Sequence, residues 1–303
     1  MTDWKTSLKA AAIGAISGTA IGLLGFLFLT SRLGHSMGGT LFLLVPSVAG
    51  FAIAIVARKP KSAIVAACLL SVAVSLIFLI AFGKEGPLCA ILAFPIIATG
   101  LAVGAVIGFL VRKLFMRDWS QTATMGIVIL IAPTVIVAGE RIERPLLLHP
   151  RTEVVQSTVE VSDSPEKVWG RILAIDTVQA SKPLLMYIGL PVPQRCTLQG
   201  RGAGAKRTCY FNVGYIEETV TEWNPPYQLR LSVDRTHMPG RHWLGFESAE
   251  YRLRSNGPNT QLTRTTTVLS DLHPAWYWRY FERLGVESEH NYILNDIMLR
   301  SQH

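Results

Sequence analysis

Few side chains in this sequence stand where chemistry would place them. His237 and His242 are five apart in HMPGRHW. A zinc site takes at least three protein ligands, and Pro239-Gly240 breaks any helix that would align the two. A polar loop is expected there, with no metal and no cofactor. Glu217, Glu218 and Glu222 lie in YIEETVTEW. On a strand, 218 and 222 share a face and 217 takes the other. Two carboxylates in unlike surroundings can divide acid and base roles, whereas on an outer face they are merely solvated. With His290, which follows Glu289, Glu218 and Glu222 form the short catalytic list. Arg264 sits in the alternating run QLTRTTTV and could hold a ligand carboxylate or phosphate. Residues 200–204, GRGAG, look like a phosphate loop but are followed by a strand pattern and no helix, so a hairpin loop is expected. Cys196 and Cys209 are symmetric about that loop. Opposed on a hairpin, their α-carbons would be about 4.5 Å apart, within disulfide range. Two readings stay open: a cross-strand disulfide suited to an oxidising exterior, or two reduced buried thiols.

The elements that must position these residues differ between the two halves of the chain. Over 303 residues the net charge is +8, 50% of residues are hydrophobic and only 17% are charged. Residues 1–151 hold 13 Lys and Arg against 5 Asp and Glu, and residues 152–303 hold 16 of each. All the excess charge therefore lies in the first half, while every Tyr lies in the second. Nucleic acid is not an expected partner, since that would call for basic residues clustered with aromatics on one domain.

Five apolar runs, 10–30, 38–57, 62–82, 88–111 and 123–139, contain no Asp, Glu, Lys, Arg or His. About 20 apolar residues suffice to cross a bilayer as helix. The fifth run is the shortest and carries Pro133. A multi-pass cell-membrane region over residues 1–145 is expected. Loop charge sets its orientation. With the N-terminus cytoplasmic, the inner segments hold Lys5, Lys9, Arg58, Lys59, Lys61, Arg112, Lys113 and Arg117, and the outer loops only Arg32 and Lys84. Five crossings then place the second half outside the cytoplasm. If the fifth run does not span, that half faces inward. Gly14, Gly18 and Gly22, and Gly100, Gly104 and Gly108, form ladders on one helix face each. Such ladders let helices approach closely, within the bundle or in a homo-oligomer through Gly100, Gly104 and Gly108.

From residue 152 the period changes. Residues 155–161 alternate as a strand does. Ser164-Pro165 opens a short helical stripe. Alternating runs follow at 195–199, 206–212, 215–223, 228–233, 248–253 and 261–268, separated by turn signals such as Asn224-Pro225-Pro226 and Asn256-Gly257-Pro258. Residues 274–299 read as a long helix. The expected fold is therefore an all-α transmembrane bundle followed by an α+β domain, an antiparallel sheet around a C-terminal helix.

The segments TVEVSDSPEKVWGRIL, GYIEETVTEWNPPYQLRLSV and EYRLRSNGPNTQLTRTTTV, with the aromatic-rich last helix, resemble the START-like, or SRPBCC, superfamily, which includes polyketide cyclase/dehydrase-like proteins. The resemblance covers residues 152–303 and implies a helix-grip fold with an apolar cavity under the last helix. Trp169, Leu198, Phe211, Val213, Trp243, Tyr251, Trp276 and Tyr280 would line it, although each would serve equally in an ordinary core. The expected partners are the bilayer and a hydrophobic small molecule: a lipid, a quinone or a polyketide-like compound. A cyclase or hydrolase on the same fold, and a non-catalytic assembly or sensing protein, are the alternatives.

Overall fold

A computed structural model describes residues 4–31, 37–57, 61–116, 119–173, 175–238 and 243–301, with the side chains of 4–7 and 121 left out. The side chain of Lys5, and Arg32, Arg58, Lys59, Arg117, Pro239-Gly240 and His242, thus lie outside the described residues. The chain divides into two compact units, Met1–His149 and Pro150–His303.

The first unit is helical: α1 (Trp4–Thr30), α2 (Val45–Ala57), α3 (Lys61–Ala81), α4 (Pro87–Phe115) and α5 (Gln121–Glu143). All five helical regions are long and apolar enough to cross a membrane. Large apolar side chains point outward along α1, α3, α4 and α5, among them Leu24, Leu69, Ile107 and Leu130. In water that exposure would be costly; a helix apolar on every side belongs in a core or in lipid. A π turn, Thr40–Leu44, leads into α2. Pro46 has no N–H for the carbonyl of Phe42, and the preceding turn widens accordingly.

Helix α2 is the hub, with Ala49 and the whole of 52–57 buried. Both glycine ladders are spent on packing inside the bundle. A β-carbon added at Gly104 would come within 1.8 Å of the Ser47 carbonyl oxygen, and one at Gly100 or Gly108 within 2.7 and 2.6 Å of the Leu43 and Phe51 oxygens. Gly18 makes room instead for the side chains of Ile53 and Ser71. The Gly100–Gly104–Gly108 face is therefore packed against α2 and the turn before it, the first of the two readings given for this ladder.

Helix α5 outruns its apolar stretch. Ile127 and Val128 pack near Ile55 and Val56 at the end of α2. Gly139 abuts Leu44 and Thr40. Glu143 accepts the N–H groups of Gly39 (2.5 Å) and Thr40 (2.8 Å). Helix α5 thus runs antiparallel to α2 along its length. Helix α1 does likewise, with Gly14 at Ala57 and Gly25 at Val45. The ends of α1 and α5 therefore lie at one end of the bundle, opposite the start of α1.

The second unit is a seven-stranded antiparallel sheet: β1 (Arg151–Val161), β2 (Pro193–Gln199), β3 (Lys206–Phe211), β4 (Gly214–Asn224), β5 (Gln228–His237), β6 (Leu244–Asn256) and β7 (Asn259–Ser270), in spatial order β1-β7-β6-β5-β4-β3-β2. Helices α6 (Pro165–Leu173) and α7 (Leu184–Tyr187) fill the first crossover, and α8 (Ala275–Leu299) closes the chain. Trp169 and Ile172 of α6, Leu229, Leu231, Tyr251 and Leu262 of the sheet, and Ile293, Leu294 and Ile297 of α8 form one core. The sheet grips the last helix, as expected. Residues 200–204 join the paired strands β2 and β3 as a hairpin loop, and three of its glycines have φ near +85 to +89°. Gly214 is required at the next turn: at φ +110° its missing β-carbon would sit 2.0 Å from the His237 carbonyl oxygen.

Candidate functional site

The inner face of the sheet carries charges as well as apolar groups. On β3 and β4, Arg207 stands opposite Glu218 in register. Both are buried, with Arg207 Nη1 3.4 Å from Glu218 Oε2. On β6 and β7, Tyr251 stands opposite Arg264. Arg264 Nη2 meets Glu289 of α8 at 2.9 Å. The sheet's curvature joins the pairs around one ring: the guanidinium carbons of Arg207 and Arg264 lie 5.8 and 5.4 Å from the Tyr251 centroid. Burial raises the Glu218 carboxyl above its ordinary range, against the pull of Arg207 and Arg264. Arg207 and Glu289 enter this cluster although sequence alone did not mark them; alternation on β3 and the inward stripe of α8 were the available signals.

Helix α8 is tied down at both ends. Arg151, the first residue of β1, reaches Glu282 (2.8 and 3.0 Å), Glu153 (2.7 Å) and the Leu272 carbonyl (2.9 Å). Ser270 donates to Glu282 at 2.5 Å. At the other end Asp296 accepts from the Gln179 N–H and from Arg300.

The catalytic candidates separate. Glu218 is buried in the cluster. Glu222 is on the outer side, accepting from Gln228 and near Arg230. The expectation that 218 and 222 share a face is corrected by a register shift between Val220 and Glu222. A bulge of this kind flips the alternation, so Trp223 turns inward and packs edge-on against Trp169 at 5.4 Å. His290 is fully buried, with Nε2 2.7 Å from the Thr266 hydroxyl and Nδ1 3.1 Å from the Ser157 hydroxyl. Both ring nitrogens are engaged within the protein. Burial, with Arg264 nearby, pushes its pKa down to about 2. Burial and the two hydroxyl contacts thus favour the neutral ring.

That burial has a measurable sign. The native ring stays neutral while the unfolded one takes a proton below about pH 6.5, so stability falls with pH there. Raised Glu218 acts oppositely: its stabilisation is lost as pH rises through its folded value. In a Glu218→Gln background, lowering the pH from 6.5 to 5 should cost about 2 kcal/mol through His290. His290→Gln should remove that slope in denaturant titrations. Asp163, held low by Lys167 and Arg171, and Asp234, held low by Thr219 and Lys206, lose their contributions only at lower pH.

The lining expected from the resemblance divides too. Trp169 and Tyr251 are in the core, with Leu198 and Phe211 half-buried against it. Trp243 is half-buried. Val213, Trp276 and Tyr280 are exposed, the last two at 73 and 66%, and are corrected to outer-surface residues. On α8 the inward stripe runs through Trp278, Glu282, His290, Ile293 and Ile297. Two of those positions are ionisable, so choosing the most aromatic stripe selects the wrong face. Cys196 and Cys209 are paired in register and joined as a disulfide. Among the described residues, no group of His, Cys, Asp and Glu could hold a metal.

No family model matches the chain, and no curated protein matches it in sequence. Solved structures similar to it include the Zhui aromatase/cyclase from Streptomyces sp. R1128, at 16% identity and TM-score 0.36, covering 50% of this chain and 94% of its own. The Aha1 dimer from Colwellia psychrerythraea is similar at 15% identity and TM-score 0.32, covering 48% and 93%. Ara h 8.0201 is similar at 9% identity and TM-score 0.33, covering 50% and 99%. Each likeness takes in about half of this chain.

Proposed function

We propose that this is a multi-pass membrane protein whose START-like sheet domain binds a hydrophobic ligand, such as a lipid, quinone or polyketide-like molecule, beneath α8. The observation that carries this reading is the cluster of Arg207, Glu218, Arg264 and Glu289 inside the grip. Core stability alone is poorly served by buried ion pairs, which apolar residues of similar volume often match or better. A few convergent polar groups in an apolar surround are what a small-molecule site needs to orient its ligand. Loop charge argues for a cytoplasmic N-terminus. With α5 antiparallel to α2, the chain then leaves the bundle on the outer side, where a Cys196–Cys209 disulfide is at home.

A second reading, an acid–base enzyme of the cyclase or hydrolase kind, is favoured by Glu218 alone, a buried carboxyl with a raised pKa. One experiment addresses both. Organic extracts of purified full-length protein are compared by mass spectrometry with extracts of Glu218→Gln. Binding predicts one apolar species near one per chain in the native protein, and the same species, at equal or lower occupancy, in the variant. Catalysis predicts a different species in the variant, its unconverted substrate. Nothing retained by either protein would count against the binding reading.

A further inference from the structure

Two polar clusters lie beneath α8, and their bookkeeping differs. Around Arg151 the donors meet Glu153, Glu282, Ser270 and the Leu272 carbonyl, and no buried atom there lacks a partner. Around Tyr251 the donors are in excess. Arg264 uses Nη2 on Glu289, while its Nε and Nη1 are buried without an acceptor. Arg207, 3% exposed, offers Nη1 to Glu218 across a long 3.4 Å, and its Nε has no acceptor. No carboxylate oxygen of this cluster is among the buried unpaired atoms. A buried unmatched donor costs about 1–3 kcal/mol, and more when charged. Three of them around one ring are not what folding alone selects. What they lack is an acceptor with several oxygens.

We propose that Arg207 and Arg264 seat the anionic head of the ligand, an amphiphile whose carboxylate or phosphate accepts from both guanidinium groups beside Tyr251. This deepens the hydrophobic-ligand reading and rests on it. A charged acceptor is preferred to a neutral one for two reasons. Charge-assisted bonds are roughly twice as strong as neutral ones. The planar guanidinium fork also matches carboxylate and phosphate geometry. Glu218 does not meet this need: it engages Arg207 through Nη1 alone, across 3.4 Å, and burial raises its carboxyl pKa.

The test is native mass spectrometry of the full-length protein, stripped of lipid in detergent and offered hexadecanoate, hexadecyl phosphate and hexadecanol together. The anionic adducts should exceed the alcohol by about tenfold or more, the ratio that one charge-assisted hydrogen bond supports. Arg264→Gln should bring the three to parity, and Arg264→Lys, which keeps charge without the fork, should retain part of the preference. Equal retention of acid and alcohol by the native protein would overturn the head-group assignment and leave the hydrophobic-ligand reading standing. Retention of none would overturn that reading itself. An undiminished anion preference in both Arg264 variants would place the head elsewhere. Full displacement of hexadecanoate by equimolar inorganic phosphate would make the site one for a free anion.

Discussion

Gly104→Leu should leave little or no monodisperse protein in detergent. The position has no room for even one added carbon, since its β-carbon would stand 1.8 Å from the Ser47 carbonyl oxygen. A backbone oxygen cannot rotate away as a side chain does, so α2 and α4 must separate. Overpacking a tight core by a methylene or two costs about 1–3 kcal/mol, and a leucine adds four carbons along a helix pair that also relies on Gly100, Gly108 and Gly50. Gly126→Ala is the matched control, because nothing lies within 4 Å of its missing β-carbon. It should keep the native size-exclusion profile and gain slightly from helix propensity. If Gly104→Leu instead gave a well-folded protein with only its association changed, the α2–α4 contact would be refuted.

The second large effect is expected at Arg151. Removing it leaves Glu282, 6% exposed, without its cation. Breaking a buried pair from one side typically costs about 3–5 kcal/mol. Arg151→Ala should therefore lower the melting temperature of the sheet domain, followed by tryptophan fluorescence in the full-length protein, by far more than an average surface change. Replacing both partners behaves differently from replacing one. Arg151→Met with Glu282→Leu should recover most of the loss. A double variant as unstable as the single would show that the Leu272 carbonyl and Ser270 contacts, and not the charge pair, hold the start of α8.

These two sites show where the sequence was transparent and where it was not. The apolar runs named the five helices because nothing but a bilayer or a core accommodates them. Alternation named the strands, and the symmetric spacing of Cys196 and Cys209 about a glycine loop allowed their pairing. The end of α5 was hidden, because Glu140 and Glu143 read as the end of a membrane run. Yet Glu143 serves another helix, and Glu140 is buried with the Arg144 guanidinium 3.8 Å away. The site was half legible. Arg264 and Glu218 could be marked by alternation, but a bulge leaves no trace in composition, so Glu222 was placed on the wrong face. On α8, burial of Glu282 and Asp296 in ion pairs reversed the polarity on which face assignment depends, and Trp276 and Tyr280 were drawn inward by their aromatic character alone.

The carboxylate of Glu143 also bears on how the protein is made. It satisfies backbone donors at Gly39 and Thr40, more than a hundred residues earlier in the chain. Chains emerge from the ribosome N-terminus first. Until the fifth helix is made, those donors lack this acceptor and are left to water, as the first N–H groups of any uncapped helix are. The start of the second helix therefore gains its final cap only once the last helix before the sheet domain is in place. Completion of the bundle is thereby tied to the segment that leads into the sheet domain, and a chain truncated before Glu143 would leave the Gly39 and Thr40 donors without that carboxylate.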